Sequence, residues 1–420
     1  MRRCRARYLG SEFYPLFKEA TAVGFKLGIR IFYAAGPGGL VDSHEHWRKG
    51  AADPRVTALT YSGQFADFCQ SIAESVYMVS HAVPSKHFNE GKFRVRQRPK
   101  PQLGDGRLGY HLGQVVYGAW LFLEVVKFRA DFAVIHSSST HFFVLSMFRL
   151  AGIKVIPVLH NTLWPAGHPQ AGLVKRCIRR LDGAFFRNCA HATLGVSPEC
   201  LRQVRALAGQ IPSERLIEMR GQFSRSYFDA IPAAPCQMTP FRMMFAGRII
   251  EKKGVFDLID IARTVEDRAP GLVKWDVCGA GPGLDELRLR RDAASLQGVV
   301  ELHGHVLPSQ MSEIIARNHA AIVPTKSSFE EGMALSAIEP VLANRPVITS
   351  SVVPASEVLG GACLKAEVDD VESYVAQVLR LAKSPEVYQA AASACAQVKE
   401  PFLDGKLGFA AALRRAFALN

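Results

Sequence analysis

The sequence predicts an α/β protein built from two doubly wound domains, and three observations point that way. Short β-rich runs alternate with segments of helical period from about residue 28 onward, the pattern of parallel sheets covered by helices on both faces. The alternation starts afresh after a proline-spaced stretch, DAIPAAPCQMTP (Asp229 to Pro240). A chain of 420 residues also exceeds what a single hydrophobic core holds.

Residues 1–27 stand outside this scheme, because an α/β domain opens on its first strand. They read equally as an extra amphipathic helix over Ser11 to Lys26 or as the product of an early start codon. From Gly28 the runs IRIFYAA, RVTALTYS, FAVIHSSS, IKVIPVLHN and HATLGVS are expected strands, and Leu173 to Phe186 has helical period. GQVVYGAWLFLEVVKF (Gly113 to Phe128) is interrupted by Glu124 and reads as a buried helix rather than a membrane span. After the linker, strands are expected at RMMFAG, VKWDVCG, VVELHG, AAIVP and RPVITS. The helix opening at Gly254 puts Val255, Leu258, Ile259, Ala262 and Val265 on one stripe, the spacing of a face packed on a sheet. Helices over Asp370 to Lys383 and Pro385 to Val398 close the second unit. The expected organisation is therefore an extension (1–27), a first domain (28–228), a linker (229–240), a second domain (241–400) and a tail (401–420) that turns back on the first.

Composition narrows the function. With 48% hydrophobic and 21% charged residues the chain is that of a soluble globular protein. A formal charge of +13 implies acidic company: nucleic acid, an anionic membrane surface or phosphate-bearing small molecules. The nine cysteines are odd in number and never form a CxxC pair, which favours reduced thiols in a cytoplasmic protein over disulfides or zinc. The N-terminus has a basic start without an apolar stretch after it, so no secretory signal is expected. Basic segments fall in the first half, at KFRVRQRPK (Lys92 to Lys100) and LVKRCIRRLDGAFFRN (Leu173 to Asn188). The second, as a helix, sets Lys175, Arg176, Arg179 and Arg180 beside Leu181, Ala184 and Phe185. Such a face either meets solvent or lies on anionic lipid. Aromatic residues are not interleaved with these runs as a base-stacking platform requires, so nucleic acid is not the expected partner.

In open parallel sheets ligands bind beyond the carboxyl ends of strands. Two such places carry charge here. FAGRIIEKKG ends a strand with Arg248, Lys252 and Lys253 ahead of Gly254, either a solvated basic turn or a pair of cations able to neutralise a diphosphate. FEEGMALSAIEP follows another strand with Glu331 and Glu339 flanking the expected start of a helix near Gly332 or Met333. Free amides in that first turn, with the positive end of the helix dipole, form an anion site. Eight residues of helix rise about 12 Å, roughly the span from sugar to ribose in a nucleotide-diphosphate sugar. Alternatively, Glu331 merely favours the helix dipole and Glu339 is an exposed helical charge. CGAGPG mimics a dinucleotide fingerprint, but Leu284 stands where its third glycine belongs and Pro282 intrudes.

Taken in order, these elements resemble the retaining glycosyltransferases of the GT-B fold, and among them family 4 (glycosyl transferases group 1). The motifs are Gly247, Arg248, Lys253 and Gly254, then GAGPG (Gly279 to Gly283), then LHGHV, then Glu331 and Glu339 as an E-x7-E pair, and finally NRPVITS. The resemblance covers about residues 241 to 352 well and the first half more loosely. It implies two Rossmann-like domains facing a central cleft. It also implies transfer of a sugar from a nucleotide-diphosphate donor, a UDP-sugar or GDP-sugar, to an acceptor hydroxyl with retention and without a metal ion. By the same resemblance Arg248 and Lys253 bind the diphosphate, Glu339 the ribose and Glu331 the sugar hydroxyls. Main chain at Gly304 and Val306 holds the base, and the amides of Met333, Ala334 and Leu335 face the donor. Gly38 and Gly39 of GPGG match the family's glycine turn, and His160 in PVLHN its sugar-contacting histidine.

The chain departs from the family at EGMA, where Ala334 replaces a glycine, and at EPVL, where Pro340 enters the helix. Any need for positive φ at Ala334 would strain it, and Pro340 requires the helix to kink or end. The acceptor class implied is a glycan or lipid-linked sugar of cell-surface polysaccharide or glycolipid biosynthesis, met in the cytoplasm or at the inner face of the membrane. A nucleotide-sugar epimerase on the same fold, or an idle binding protein that keeps it, are the alternatives.

Overall fold

The computed structural model describes residues 28–104, 106–166 and 172–419. The helix expected over Ser11 to Lys26 lies outside the described residues. Among the described residues ten strands belong to the first half: β1 Ile29–Ala34, β2 Ala58–Leu59, β3 Ala73–Ser80, β4 Lys86–Glu90, β5 Phe93–Gln97, β6 Phe132–His136, β7 Lys154–Leu159, β8 Thr193–Gly195, β9 Leu216–Glu218 and β10 Gln222–Phe223. Six follow: β11 Phe241–Ala246, β12 Val273–Cys278, β13 Val300–Gly304, β14 Ala320–Val323, β15 Val347–Ser350 and β16 Cys363–Ala366.

The first sheet runs β4-β5-β3-β1-β6-β7-β8-β9 and is parallel except for the edge strand β4. The second, β13-β12-β11-β14-β15-β16, is parallel throughout. In both, the central strands are near-continuous apolar runs because helices cover both faces: β6 and β14 are buried along their whole length. The stripe of Val255, Leu258, Ile259, Ala262 and Val265 on helix Val255–Arg268 is buried as its spacing requires.

Several elements differ from the sequence expectation. RVTALTYS is not a core strand; only Ala58 and Leu59 pair, with Phe223 and Gln222, and its last two residues already open helix Tyr61–Ile72. Opposite β6, β1 pairs with β3, which the sequence hides because that helix runs into it without a turn residue between them. The β4–β5 hairpin reads as a run of charge, yet Phe93, Val95 and Gln97 alternate inward with Arg94, Arg96 and Arg98 outward. Helix Arg107–Phe128 is longer than expected and buried on one face only. Tyr117, Leu121 and Val125 point in, while Leu112, Val116 and Leu123 are exposed. Among the described residues no helix is long and apolar enough to cross a membrane. On helix Leu173–Asn188, Phe185 and Phe186 are packed inward against Phe142, so the apolar face expected to be free is largely used by the fold.

The chain's last helix, Phe409–Phe417, returns to the first sheet. Phe417 stacks on Phe132 with centroids 4.0 Å apart and meets Phe68 edge-on, and Phe409 lies against Tyr61 and His136. The buried cluster around β1 and β6 continues through this tail and through Ala337, Ile338 and Val341 of the second sheet's helix Leu335–Leu342.

Candidate functional site

The carboxyl ends of the two sheets meet around Gly332. A Cβ placed there would come within 1.8 Å of the His160 carbonyl oxygen, so the loop carrying Glu331 can lie against the end of β7 only with glycine at this position. Gly254 serves the same purpose one strand away. Its φ is +71°, and a Cβ would stand 1.8 Å from the Pro324 carbonyl oxygen at the end of β14. The two loops are tied further by the Lys326 amide, which donates to the Lys252 carbonyl at 3.0 Å.

Here the charged groups converge. Lys253 Nζ donates to Glu331 Oε2 in a pair that is mostly shielded from water. Thr325 Oγ1 approaches the same oxygen at 3.4 Å. The Phe329 ring lies under both cations, with Lys253 Nζ 4.6 Å and Arg248 Cζ 5.5 Å from its centroid. Arg248 is exposed and has no acidic partner among the described residues. An ammonium has three donors, so Lys253 can hold Glu331 and still face an anion.

The helix expected from Gly332 or Met333 starts two or three residues later, at Leu335, and ends at Leu342. Glu331 therefore sits in the loop, and the separation of the two glutamates is not a helical rise. Ala334 takes φ +62° and ψ 80° at the helix entrance, the left-handed conformation that a glycine would adopt freely. Pro340 stands inside the helix, two residues before its end, and the Ala343 and Arg345 amides both turn back to its carbonyl.

Glu339 is not an exposed helical charge. Thr57 Oγ1, from the loop before β2, donates to Glu339 Oε1 at 2.7 Å across the two halves of the chain. Burial pushes the Glu339 carboxyl up to about 7, against the downward pull of the Thr57 hydrogen bond. Leu335 faces Gly221, whose Cβ would come within 2.9 Å of Leu335 Cδ2. Met333 is buried beside it.

On the first sheet, His160 directly follows β7 and shares a hydrogen bond with His136 at the end of the neighbouring β6, His160 Nε2 to His136 Nδ1 at 2.7 Å. Tyr61 meets the His160 ring edge-on at 4.6 Å. Burial lowers the His160 imidazole to about 4, so it is neutral at physiological pH. The glycine turn after β1 leaves Gly38 exposed and Gly39 at the start of helix Leu40–Arg48. A Cβ on Gly39 would be 2.9 Å from Arg55 Nη1. Arg55 is fixed there by Asp53, Nη2 to Oδ2 at 2.6 Å. At the far edge of the second sheet, Gly304 has φ +68° and accepts the Gly279 amide at 2.7 Å. Val306 lines a recess of about 260 Å³ with His305 and Gln310.

Three residues at this site carry no sequence signal of their own. Thr57 and Arg55 lie in a stretch read as strand, and His136 ends one strand while His160 directly follows its neighbour. The parallel endings AVIH and PVLH are the clue to the histidine pair. Asp276, Glu301 and His303 form an acidic cluster elsewhere in the second sheet, but Arg242 and Arg317 already answer the Asp276 charge.

Two α/β units facing each other across such a cleft are the GT-B fold. Residues 240–384 match the family pattern described as "Glycosyl transferases group 1". No curated protein sequence matches the chain. Among solved structures, Alr3699/HepE from Anabaena, in complex with UDP, aligns over 92% of this chain and 99% of its own at 14% identity and TM-score 0.64. The sucrose-phosphate synthase of Thermosynechococcus elongatus aligns over 93% and 98% at 12% identity and TM-score 0.69. The lipopolysaccharide outer core galactosyltransferase WaaB, in its apo form, aligns over 93% and 99% at 15% identity and TM-score 0.63.

Proposed function

We propose that the protein is a retaining glycosyltransferase of family 4 type. It transfers a sugar from a UDP-sugar or GDP-sugar to a hydroxyl of an acceptor glycan or lipid-linked sugar. The observation that carries this reading is the meeting of Lys253, Glu331 and Arg248 around Phe329, beside the entrance of helix Leu335–Leu342. Two cations and a helix start address one volume from two directions, which suits a diphosphate.

In this reading the donor diphosphate takes the free donors of Lys253 and the guanidinium of Arg248. Glu331 stays positioned by Lys253 and accepts hydrogen bonds from sugar hydroxyls. The ribose diol takes Glu339 in competition with Thr57, and the base occupies the edge near Gly304 and Val306. His160, neutral and held by His136, presents its ring to the transferred sugar. Charge that develops on the departing diphosphate meets fixed cations in a partly dry cleft, and this supplies the stabilisation. The diphosphate itself takes the acceptor proton on the face it leaves, so retention needs no side-chain base and no metal ion. Gly38, Gly39 and Arg55 border the side from which the acceptor arrives.

A thermal-shift panel of UDP, GDP, ADP and their sugar conjugates tests the donor site. At a hundredfold its dissociation constant the true nucleotide adds about 2.7 kcal/mol of apparent stability. Release of free nucleotide that depends on added acceptor separates transfer from epimerisation. A panel in which no nucleotide shifts the melting curve would remove the proposal.

A further inference from the structure

Helix Arg107–Phe128 has two apolar faces. The inner one packs on the first sheet. The outer one, built from Leu108, Leu112, Val116, Leu123 and Val126, is 42–73% exposed. On a helical wheel these five fall within an arc of about 80°, and no charged residue interrupts them from Leu108 to Leu123. A stripe of this length facing water is unusual for a fold whose core is otherwise complete.

What flanks it identifies its partner. On one side β5 sets out Arg94, Arg96 and Arg98 at period two. Arg98 lies over Trp120 of the helix, and Arg96 reaches within 3.9 Å of Glu124. With Lys86 and His87 these arginines line an open groove of about 490 Å³ that has no acidic residue in its lining. On the other side the segment Phe142–Leu150 joins the stripe to helix Leu173–Asn188, through Phe122 on Phe148 and Phe142 on Phe186. The first turn of that helix, with Lys175 and Arg176, is wholly exposed. Residues 28–228 hold 25 Lys and Arg against 13 Asp and Glu, whereas residues 229–420 hold 20 against 23. Positive charge is thus concentrated on the half that bears the stripe.

We propose that this face docks on an anionic lipid surface: the Arg107–Phe128 stripe enters the acyl boundary, and Arg94 and Arg98 of the β5 edge, with Lys175 and Arg176, meet lipid phosphates. Lys86 and Arg96 already have Asp42 and Glu124 beside them, but a protein partner that matched the apolar stripe alone would leave Arg94, Arg98, Lys175 and Arg176 without an anion. The proposal goes beyond the transfer reaction and is independent of which nucleotide binds.

Co-sedimentation of the full chain with vesicles of phosphatidylcholine, alone or mixed with phosphatidylglycerol, tests it. Binding to the mixed vesicles only, weakening as salt is raised, is expected. Arg94→Ala with Arg98→Ala lowers the partition about 25-fold, at roughly fivefold per basic residue. Leu112→Gln with Leu123→Gln, both at exposed positions that leave the fold intact, lowers it at least tenfold. Leu289→Gln, an exposed leucine of the second domain, leaves it unchanged. Failure to sediment with mixed vesicles, equal binding to phosphatidylcholine alone, or wild-type binding by the leucine double variant overturns the proposal. So does a soluble dimer that the leucine double variant dissociates. None of these outcomes bears on nucleotide binding, so the donor-site reading stands or falls separately.

Discussion

Lys253 and Glu331 form a pair that neither member makes sense without. A buried carboxylate stripped of its cation costs about 3–5 kcal/mol, so Lys253→Ala acts on stability as well as on chemistry. The two effects separate by measurement. Turnover under saturating donor falls about 10²–10³-fold from the lost stabilisation of the leaving diphosphate, while denaturant unfolding reports the stability loss. A variant that is only less stable, with normal turnover at low temperature, would assign the pair to structure alone.

Glu339 carries a signature in pH. Its carboxyl titrates at about 7 in the folded protein, above the ordinary carboxyl value of about 4.3. Between those values the folded chain holds a proton that the unfolded chain has lost, so this group's contribution to stability falls as pH rises through the window. Glu339→Gln removes that dependence. The variant is expected to gain stability relative to the parent on going from pH 5 to pH 8, by on the order of 2–3 kcal/mol, read as the difference between two sets of unfolding midpoints. If Glu339 also holds ribose as a carboxylate, nucleotide affinity of the parent rises over the same window, and the variant's does not.

At the scale of elements, the entrance to helix Leu335–Leu342 shows how magnitudes decide a substitution. Ala334 is held at positive φ, which costs an L-residue about 1–2 kcal/mol. Replacing it by glycine relieves that strain, but forfeits a buried methyl of about 0.8 kcal/mol and adds about 0.5–1 kcal/mol of backbone entropy. These terms nearly cancel, and Ala334→Gly is expected to move stability by less than about 0.5 kcal/mol. Ala334→Val adds a β-branched side chain where φ forbids it and volume where the site is full, for a loss of about 3 kcal/mol. Chemical denaturation of both variants checks the pair. The departure from glycine was legible in EGMA, as was the end of the helix near Pro340. The start of the helix was not legible, because Gly332 and Met333 are held by His160 and by burial rather than by local helix signals.

The same division runs through the whole fold. Strands β11 to β14 announce themselves because each is a short β-rich run closed by glycine or proline, and that information is local. β3 follows its helix without punctuation, and β5 hides its inward residues among arginines, so neither is visible until pairing is known. Likewise the residue types of the site were readable, but their partners were not. Lys253 meets Glu331 across 78 residues and Thr57 meets Glu339 across 282, and no pattern within one stretch encodes such a meeting.

The molecule as a whole is crossed twice between its halves, once at the linker and once when the chain returns before helix Phe409–Phe417. That return places Phe409 under Tyr61 and His136, the groups that fix His160, and Phe417 against β6. The tail is thus part of the first domain's core although it is the last segment in sequence. Removing a buried phenylalanine costs about 3–5 kcal/mol, so Phe409→Ala should loosen the first sheet and leave the second intact. Hydrogen exchange resolves the two: amides of β1 and β6 lose protection, while those of β11 and β12 keep theirs. On the proposed donor site, which rests mainly on the second sheet, nucleotide binding should survive with little change as turnover falls, because His160 loses its support. Equal loss of protection in both sheets would show instead that the two domains unfold as one unit and that the tail stabilises the whole rather than its first half.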